Sequence, residues 1–323
     1  VEKEKFRIVF MGTPEFAVAS LAAILDAGYP VAGVVTAPDK PAGRGKKLKM
    51  SDVKRFALEK NLRVLQPRNL KAPEFIDELK ALGASLQVVV AFRMLPEVVW
   101  SMPPYGTINL HGSLLPQYRG AAPIHHAIMN GETKTGVTTF LLQKEIDTGQ
   151  ILMQRALPIG FEENVGQIHD KMMVLGAELL VETLEQIRTG KAKAVDQSML
   201  INDEKALKPA PKIFKEDCRI DWHRDVISLH HFIRGLSPYP AAYTYLRDTD
   251  GSEIQIKLFK AMPEVTEDGI AAGCFTTNNK DLLEIYAHGG KLRILEVQMA
   301  GRKRMTIQDF LRGHPLNENA RFV

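Results

Sequence analysis

An asparagine and a histidine two positions apart, Asn109 and His111, close the run Thr107-Ile108-Asn109-Leu110-His111. The run reads as a strand. Alternate side chains of a strand share a face, so the carboxamide and the imidazole point one way while Ile108 and Leu110 point the other. Two polar groups on one face of an apolar strand cost about 1–3 kcal/mol apiece if buried unpaired, so they need partners or a task. Gly112 breaks the strand, and Pro116 fixes the loop that follows. Thirty-six residues beyond His111, Asp147-Thr148-Gly149 offers a carboxylate in a tight turn. An amide donor, a titratable base and an acid to orient that base suit attack on a carbonyl-like carbon. The other histidines (His125, His126, His169, His223, His230, His231, His288 and His314) lack such a setting and read as structural. Aspartic-protease chemistry needs two Asp-Thr-Gly turns, and the chain has one. His-Glu-x-x-His and Cys-x-x-Cys are absent, so no metal is expected.

The elements that must carry these residues begin with Phe6 to Met11, a buried strand. Thr13 reads as an N-cap and Pro14 as the first residue of a helix running to about Ala27, stopped by Gly28. Val31 to Val35 is a second strand, and this start predicts a parallel α/β sheet with a right-handed crossover. Gly12 stands alone, without the Gly-x-Gly-x-x-Gly of a dinucleotide site. Two prolines and two glycines between Pro38 and Lys49 argue against regular structure there. That stretch holds Lys40, Arg44, Lys46, Lys47 and Lys49 with no acid after Asp39, which fits either a solvated loop or one that meets phosphates. Ser51 is placed to cap a helix. Ser85 to Phe92 is a continuous apolar strand suited to a sheet covered on both faces. Helices are predicted over 73–82, 123–129 and 165–189, and strands over 136–142 and 151–158.

Lys208-Pro209-Ala210-Pro211-Lys212 reads as a semi-rigid linker, which places a boundary near residue 206. The expected domains are 1–206 and 207–323. In the second, a helix over 224–236 precedes five short strands at 241–246, 253–259, 273–277, 282–287 and 291–298, a pattern that suggests a small OB-like β-barrel. Arg302-Lys303-Arg304 is its one dense basic spot.

Across 323 residues, 45% apolar and 25% charged content fits an ordinary globular protein. The net charge of +4 permits an anionic partner without requiring one. Cys218 and Cys274 have no metal-ligand spacing and read as free thiols of a cytoplasmic protein. The charged start Val-Glu-Lys-Glu-Lys has no signal-peptide core, and no apolar window is long enough to span a membrane. No long apolar seam demands a dimer, so a monomer is expected.

Taken together, Gly12-Thr13-Pro14-Glu15-Phe16, Pro41-Ala42-Gly43-Arg44-Gly45-Lys46-Lys47-Leu48, Asn109-x-His111, Ser113-Leu114-Leu115-Pro116, Tyr118-Arg119-Gly120-Ala121-Ala122-Pro123 and Asp147-Thr148-Gly149 resemble the folate-dependent formyltransferases, and among these the members that act on methionyl-tRNA. The likeness is dense to about residue 150 and thinner beyond. It implies a Rossmann-like, mostly parallel N-terminal sheet and a smaller C-terminal OB-like barrel. It also implies that 10-formyltetrahydrofolate, as co-substrate, gives its formyl group to the α-amine of a methionyl ester on initiator tRNA, with no metal. On matching positions, Asn109, His111 and Asp147 correspond to the family's catalytic set. Ser113, Leu114, Leu115 and Pro116, with Met94 and Leu95, correspond to its folate contacts. Arg44, Lys46 and Lys47 match the loop that enters the tRNA acceptor end, and the barrel, with Arg302, Lys303 and Arg304, the second tRNA-contacting surface. Phe92-Arg93-Met94-Leu95-Pro96 departs from the family's usual Tyr-Gly-Leu-Ile-Leu-Pro segment and is one residue shorter. Transfer to a small amine, such as a ribonucleotide or nucleotide sugar, hydrolysis of the formyl donor, and a noncatalytic tRNA- or folate-binding module are the alternatives.

Overall fold

The computed structural model describes residues 1–42, 47–267 and 269–323, and gives the backbone alone for Pro41, Ala42 and Lys47. Arg44 and Lys46 lie outside the described residues. The chain divides into two compact units. One comprises Val1–Gly120, Thr135–Leu157 and His169–Pro209, and the other Ala121–Lys134, Pro158–Ile168 and Ala210–Val323.

The first unit opens with β1 (Ile8–Gly12), α1 (Glu15–Asp26) and β2 (Val31–Val35). All five residues of β1 are buried. Pro14, in extended conformation, takes the N-cap position, one residue later than the sequence reading placed it on Thr13. Gly28, at φ +77°, ends the helix in the left-handed region. The stretch expected to be irregular instead forms a small antiparallel ladder of β3 (Lys40–Ala42) and β4 (Lys47–Lys49). Its glycines fall between the two strands in sequence, and Pro41 sits in a two-stranded ribbon, where a missing N–H is tolerated. The base of the ladder is tied down by Asp39, whose carboxylate accepts from Lys54 Nζ at 2.6 Å and Gln66 Nε2 at 2.8 Å. Helix α2 (Asp52–Glu59) is capped by the Ser51 hydroxyl, which accepts from Lys54 N at 3.0 Å.

Then follow β5 (Val64–Leu65), α3 (Pro73–Ala81), β6 (Leu86–Val90), α4 (Glu97–Trp100) and β7 (Thr107–His111). After α5 (Pro123–Met129), which belongs to the second unit, come β8 (Lys134–Leu141), β9 (Ile151–Pro158) and the long α6 (Val165–Arg188). The sheet order is β5-β2-β1-β6-β7-β8-β9. The first five are parallel and β8 runs antiparallel to β7. The chain winds outward from β1 through β2 to β5, then returns to β6 on the other side of β1. Ligands of open α/β sheets gather at the carboxyl ends of strands beside such a reversal, where β1, β6 and β7 end.

The second unit adds α7 (Val226–Leu236), β10 (Ala242–Arg247), β11 (Glu253–Val265), β12 (Phe275–Thr277), β13 (Leu283–Ala287), β14 (Gly290–Met299), β15 (Met305–Thr306), α8 (Ile307–Gly313) and β16 (Arg321–Phe322). Its antiparallel sheet runs β12-β13-β14-β11-β10-β16, with β15 on β14. Phe322 N donates to Gly273 O at 2.9 Å, bringing the last strand back to the start of β12 and nearly closing the barrel. Helix α7, capped by Asp225, buries Val226, Leu229, Ile233 and Leu236 in the barrel core with Ile256, Leu258, Ile285 and Leu292. The fold is therefore the α/β-plus-barrel class that the sequence implied.

Candidate active site

Strand β7 carries Asn109 and His111 at its carboxyl end, between β6 (Val89↔Asn109) and β8 (Asn109↔Phe140, His111↔Thr138). Leu110, on the opposite face, meets Gly176 of α6, where an added Cβ would lie 2.9 Å from Leu110 Cδ2. Alternation thus turns Asn109 and His111 away from α6, as the period of two requires. His111 is buried, and Asn109 is half-buried with no side-chain hydrogen bond among the described residues.

The ring of His111 is oriented by the loop after it. Nε2 lies 2.9 Å from Tyr118 O. A carbonyl can only accept, so Nε2 carries the proton and Nδ1 is left as the neutral ring's acceptor. Tyr118 aims that carbonyl from a left-handed backbone, φ +60°. The loop itself is clamped by Thr138 of β8 and Gln154 of β9. Thr138 Oγ1 donates to Ser113 O at 2.6 Å and accepts from Leu115 N at 3.2 Å. Gln154 Nε2 donates to Leu115 O and to Thr138 Oγ1, at 2.8 and 2.9 Å.

Asp147 arrives from the turn between β8 and β9. Its Oδ2 lies 3.8 Å from His111 Nδ1, within ion-pair reach and beyond a hydrogen bond, and accepts from Gly120 N at 2.9 Å. The tautomer of His111 is therefore set by the Tyr118 carbonyl, where the sequence reading had assigned that task to Asp147. Asp147 is itself left-handed, φ +54°. Non-glycine residues in that region cost about 1–3 kcal/mol and cluster where geometry matters more than stability. Gly149 explains why this turn needs a glycine: an added Cβ would lie 1.7 Å from Leu141 O.

The structure thus gathers Asn109, His111 and Asp147, the three residues singled out from sequence. The other candidate residues lie in varied settings. Ser113 and Leu115 point inward, at 0% and 2% exposure, with Ser113 Oγ donating to Gln117 O at 2.6 Å. Leu95 is buried in the apolar cluster with Val9, Met11 and Val99, whereas Met94 is 71% exposed. The neighbouring Arg93 donates to Arg68 O and Pro67 O. Of the exposed basic trio, Arg304 pairs with Glu296 and stacks over Phe259 at 4.6 Å. Tyr118 O, Gly120 N–H, Thr138, Gln154 and Gln197 were missed. The first two are backbone groups, and the side chains carry no local signal, being defined by contacts with loops distant in sequence: Thr138 and Gln154 with residues 113–115, and Gln197 with the Asp147 and Gly149 carbonyls. Among the described residues no cluster of three or more His, Cys, Asp or Glu is placed to hold a metal, and no helix is long and apolar enough to cross a membrane.

An open α/β sheet with an amide donor and an acid-backed imidazole at its switch edge, followed by a β-barrel, is the layout of a two-domain group-transfer protein. The family model for formyl transferases matches residues 6–184, and that for the formyl transferase C-terminal domain matches residues 212–315. The chain is 52% identical over 314 residues to the methionyl-tRNA formyltransferase of Parabacteroides distasonis, covering 97% of each. It is 50% identical over 319 residues to that of Bacteroides fragilis, covering 98% of each. Among solved structures, WlaRD, a sugar 3N-formyl transferase in the presence of dTDP and 5-N-formyl-THF, superposes with a TM-score of 0.63 at 20% identity, over 93% of this chain and all of that one. HypX from Aquifex aeolicus in complex with tetrahydrofolic acid gives a TM-score of 0.61 at 20% identity, over 95% of this chain and 48% of that one. The chain belongs to the formyl transferase family.

Proposed function

We propose that this chain transfers the formyl group of 10-formyltetrahydrofolate to the α-amine of methionyl-initiator tRNA, giving formylmethionyl-tRNA for the start of translation, a cytoplasmic task. The observation that carries the reading is identity near 50% to methionyl-tRNA formyltransferases along almost the whole chain. A formyl-folate donor fits the family and the folate-bound structural neighbours.

The residues fit such a donor. Asn109 has an amide with no partner among the described residues, free to donate to the formyl oxygen as negative charge grows there. One such donor is typically worth about 2.7–4 kcal/mol. His111, held at Nε2 by Tyr118 O, has Nδ1 available to take a proton from the attacking nitrogen and return it to the leaving N10. Positioned proton transfer contributes roughly 10²–10⁴-fold. Asp147 faces the imidazolium that this step creates. The bond formed joins the methionyl nitrogen to the formyl carbon, and the bond broken joins that carbon to N10, so no external oxidant or reductant is needed. In this reading Leu114 and Pro116, the backbones of Ser113 and Leu115, and the Met94–Leu95 segment contact the folate.

We assign catalysis to residues 1–206 and a second tRNA contact to 207–323. Arg44, Lys46 and Lys47 would meet the acceptor end, and Arg302, Lys303 and Arg304 the tRNA body. Phosphate contacts of this kind predict affinity that falls steeply with salt.

The test supplies labelled formyl donor with charged initiator tRNA, with glycinamide ribonucleotide, or with water alone. Label is expected on the methionyl-tRNA, and to be lost in folded Asn109→Ala and His111→Ala variants. Label appearing only on the small amine, or only as free formate, would overturn the reading.

A further inference from the structure

Asp147 reaches the site from a loop, and something must hold that loop. Directly beneath it is Gln197, the first residue of the short 3₁₀ turn Gln197–Leu200. Its side chain is 2% exposed. Nε2 donates to the carbonyls of Asp147 and Gly149 at 2.9 and 2.8 Å. Oε1 accepts from Arg119 Nε and Nη2 at 3.1 and 2.7 Å. Both amide hydrogens and both oxygen lone pairs are therefore used. The orientation is forced, because a flipped amide would set its oxygen against two carbonyls and its nitrogen against a guanidinium. Arg119 is adjacent in sequence to both backbone groups of the site: Tyr118, whose carbonyl holds His111, and Gly120, whose N–H holds the Asp147 carboxylate.

We propose that Gln197 and Arg119 form a positioning brace that couples the loop bearing Asp147 to the loop that orients His111, and so sets the distance between the carboxylate and the imidazole. The inference rests on the reading that Asp147 assists His111 in formyl transfer. Two loops with left-handed residues at their critical points, Tyr118 and Asp147, are locked to one another by one buried amide and one guanidinium. Neither brace residue hydrogen-bonds to the carboxylate or the ring. Their effect is on geometry, to which transfer is sensitive: a misplacement near 1 Å can cost roughly 10²-fold.

The experiment compares Gln197→Ala, Gln197→Glu, Arg119→Met and Asp147→Asn, with the double variants Gln197→Ala/Asp147→Asn and Arg119→Met/Asp147→Asn, in the full chain with charged initiator tRNA and formyl donor. Gln197→Glu keeps volume and the Arg119 contact but cannot donate to the two carbonyls. Arg119 is only half-buried, so its variant tests the brace even if changes at the buried Gln197 impair folding. Each brace variant is expected to lower kcat by about 10- to 100-fold while KM for both substrates stays within about twofold. In the Asp147→Asn background the same changes should cost less than about threefold, since the group they position is already disabled. Equal losses in both backgrounds, a rise in KM at constant kcat, or a kcat within about threefold of wild type would overturn the brace. Near-normal turnover in Asp147→Asn alone would instead remove the underlying role of Asp147, which separates the two failures.

Discussion

Replacing Asp147 by asparagine tests the site most directly, because it deletes a charge while keeping the shape. In Asp147→Asn the oxygen of the new amide can still accept from the Gly120 N–H, which now bonds the Asp147 carboxylate at 2.9 Å. What disappears is the field at His111 Nδ1, 3.8 Å away. Two unit charges at that separation interact by about 4 kcal/mol at an effective dielectric near 20, and by about 1 kcal/mol in bulk water. His111 and Asp147 side chains are 7% and 14% exposed, which places the pair toward the larger figure. In the proposed transfer the ring gains charge with the proton it accepts, so the interaction is made in the transition state and should appear in kcat. The expected loss is about 100- to 1,000-fold. Single-turnover transfer at saturating donor and tRNA measures it, with circular dichroism and thermal unfolding as controls for the fold. A loss under about fivefold in a folded variant would mean that water or another group screens the pair, and would refute the electrostatic role of the carboxylate.

Gly149→Ala should open the Asp147 turn, because the new Cβ would lie 1.7 Å from Leu141 O; a destabilisation of roughly 2–3 kcal/mol in urea unfolding is expected together with lost transfer, and an unchanged urea midpoint would contradict it. In the second unit, burial and the neighbouring Arg234 hold His231 down to about 4, in keeping with the Arg234 Nε–H that donates to its Nδ1 at 3.0 Å. A depressed folded value means the unfolded chain binds more protons between about pH 6.5 and 4, so this contribution is complete above 6.5 and is lost as pH falls toward 4. His231→Gln should flatten that part of the urea-midpoint profile, and parallel profiles for the two proteins would show that the linkage lies elsewhere.

The period of two placed Asn109 and His111 on one face because that rule is local and needs no knowledge of neighbours. The same rule failed in β11, which runs from Glu253 to Val265 where the sequence suggested an end at Phe259. Register shifts between Leu258 and Ala261 put Leu258 and Phe259 both in the interior and break the alternation that would have carried the strand onward. β15 and β16 have two residues each, too few to show any period. The prolines and glycines of 38–49 were read as excluding structure, but they are compatible with two short paired strands on either side of the glycines in sequence.

The candidate site divides along the same line. Its three side chains were visible because carboxamide, imidazole and carboxylate are unusual in their settings. The groups that orient them were invisible for a physical reason. A backbone carbonyl such as Tyr118 O has no sequence signature, and its direction is set by a left-handed φ that tyrosine rarely adopts. Gln197 belongs to a type found mostly on surfaces, so only burial of its amide and saturation of its four bonds distinguish it; Arg119 lies in a recognisable segment, but its pairing with Gln197 is not written there. The candidate site is thus marked by residue type, and its geometry is set by pairings up to 78 residues apart, as between Arg119 and Gln197. It follows that a change confined to Gln197 should alter the rate while leaving every recognisable motif of the chain intact.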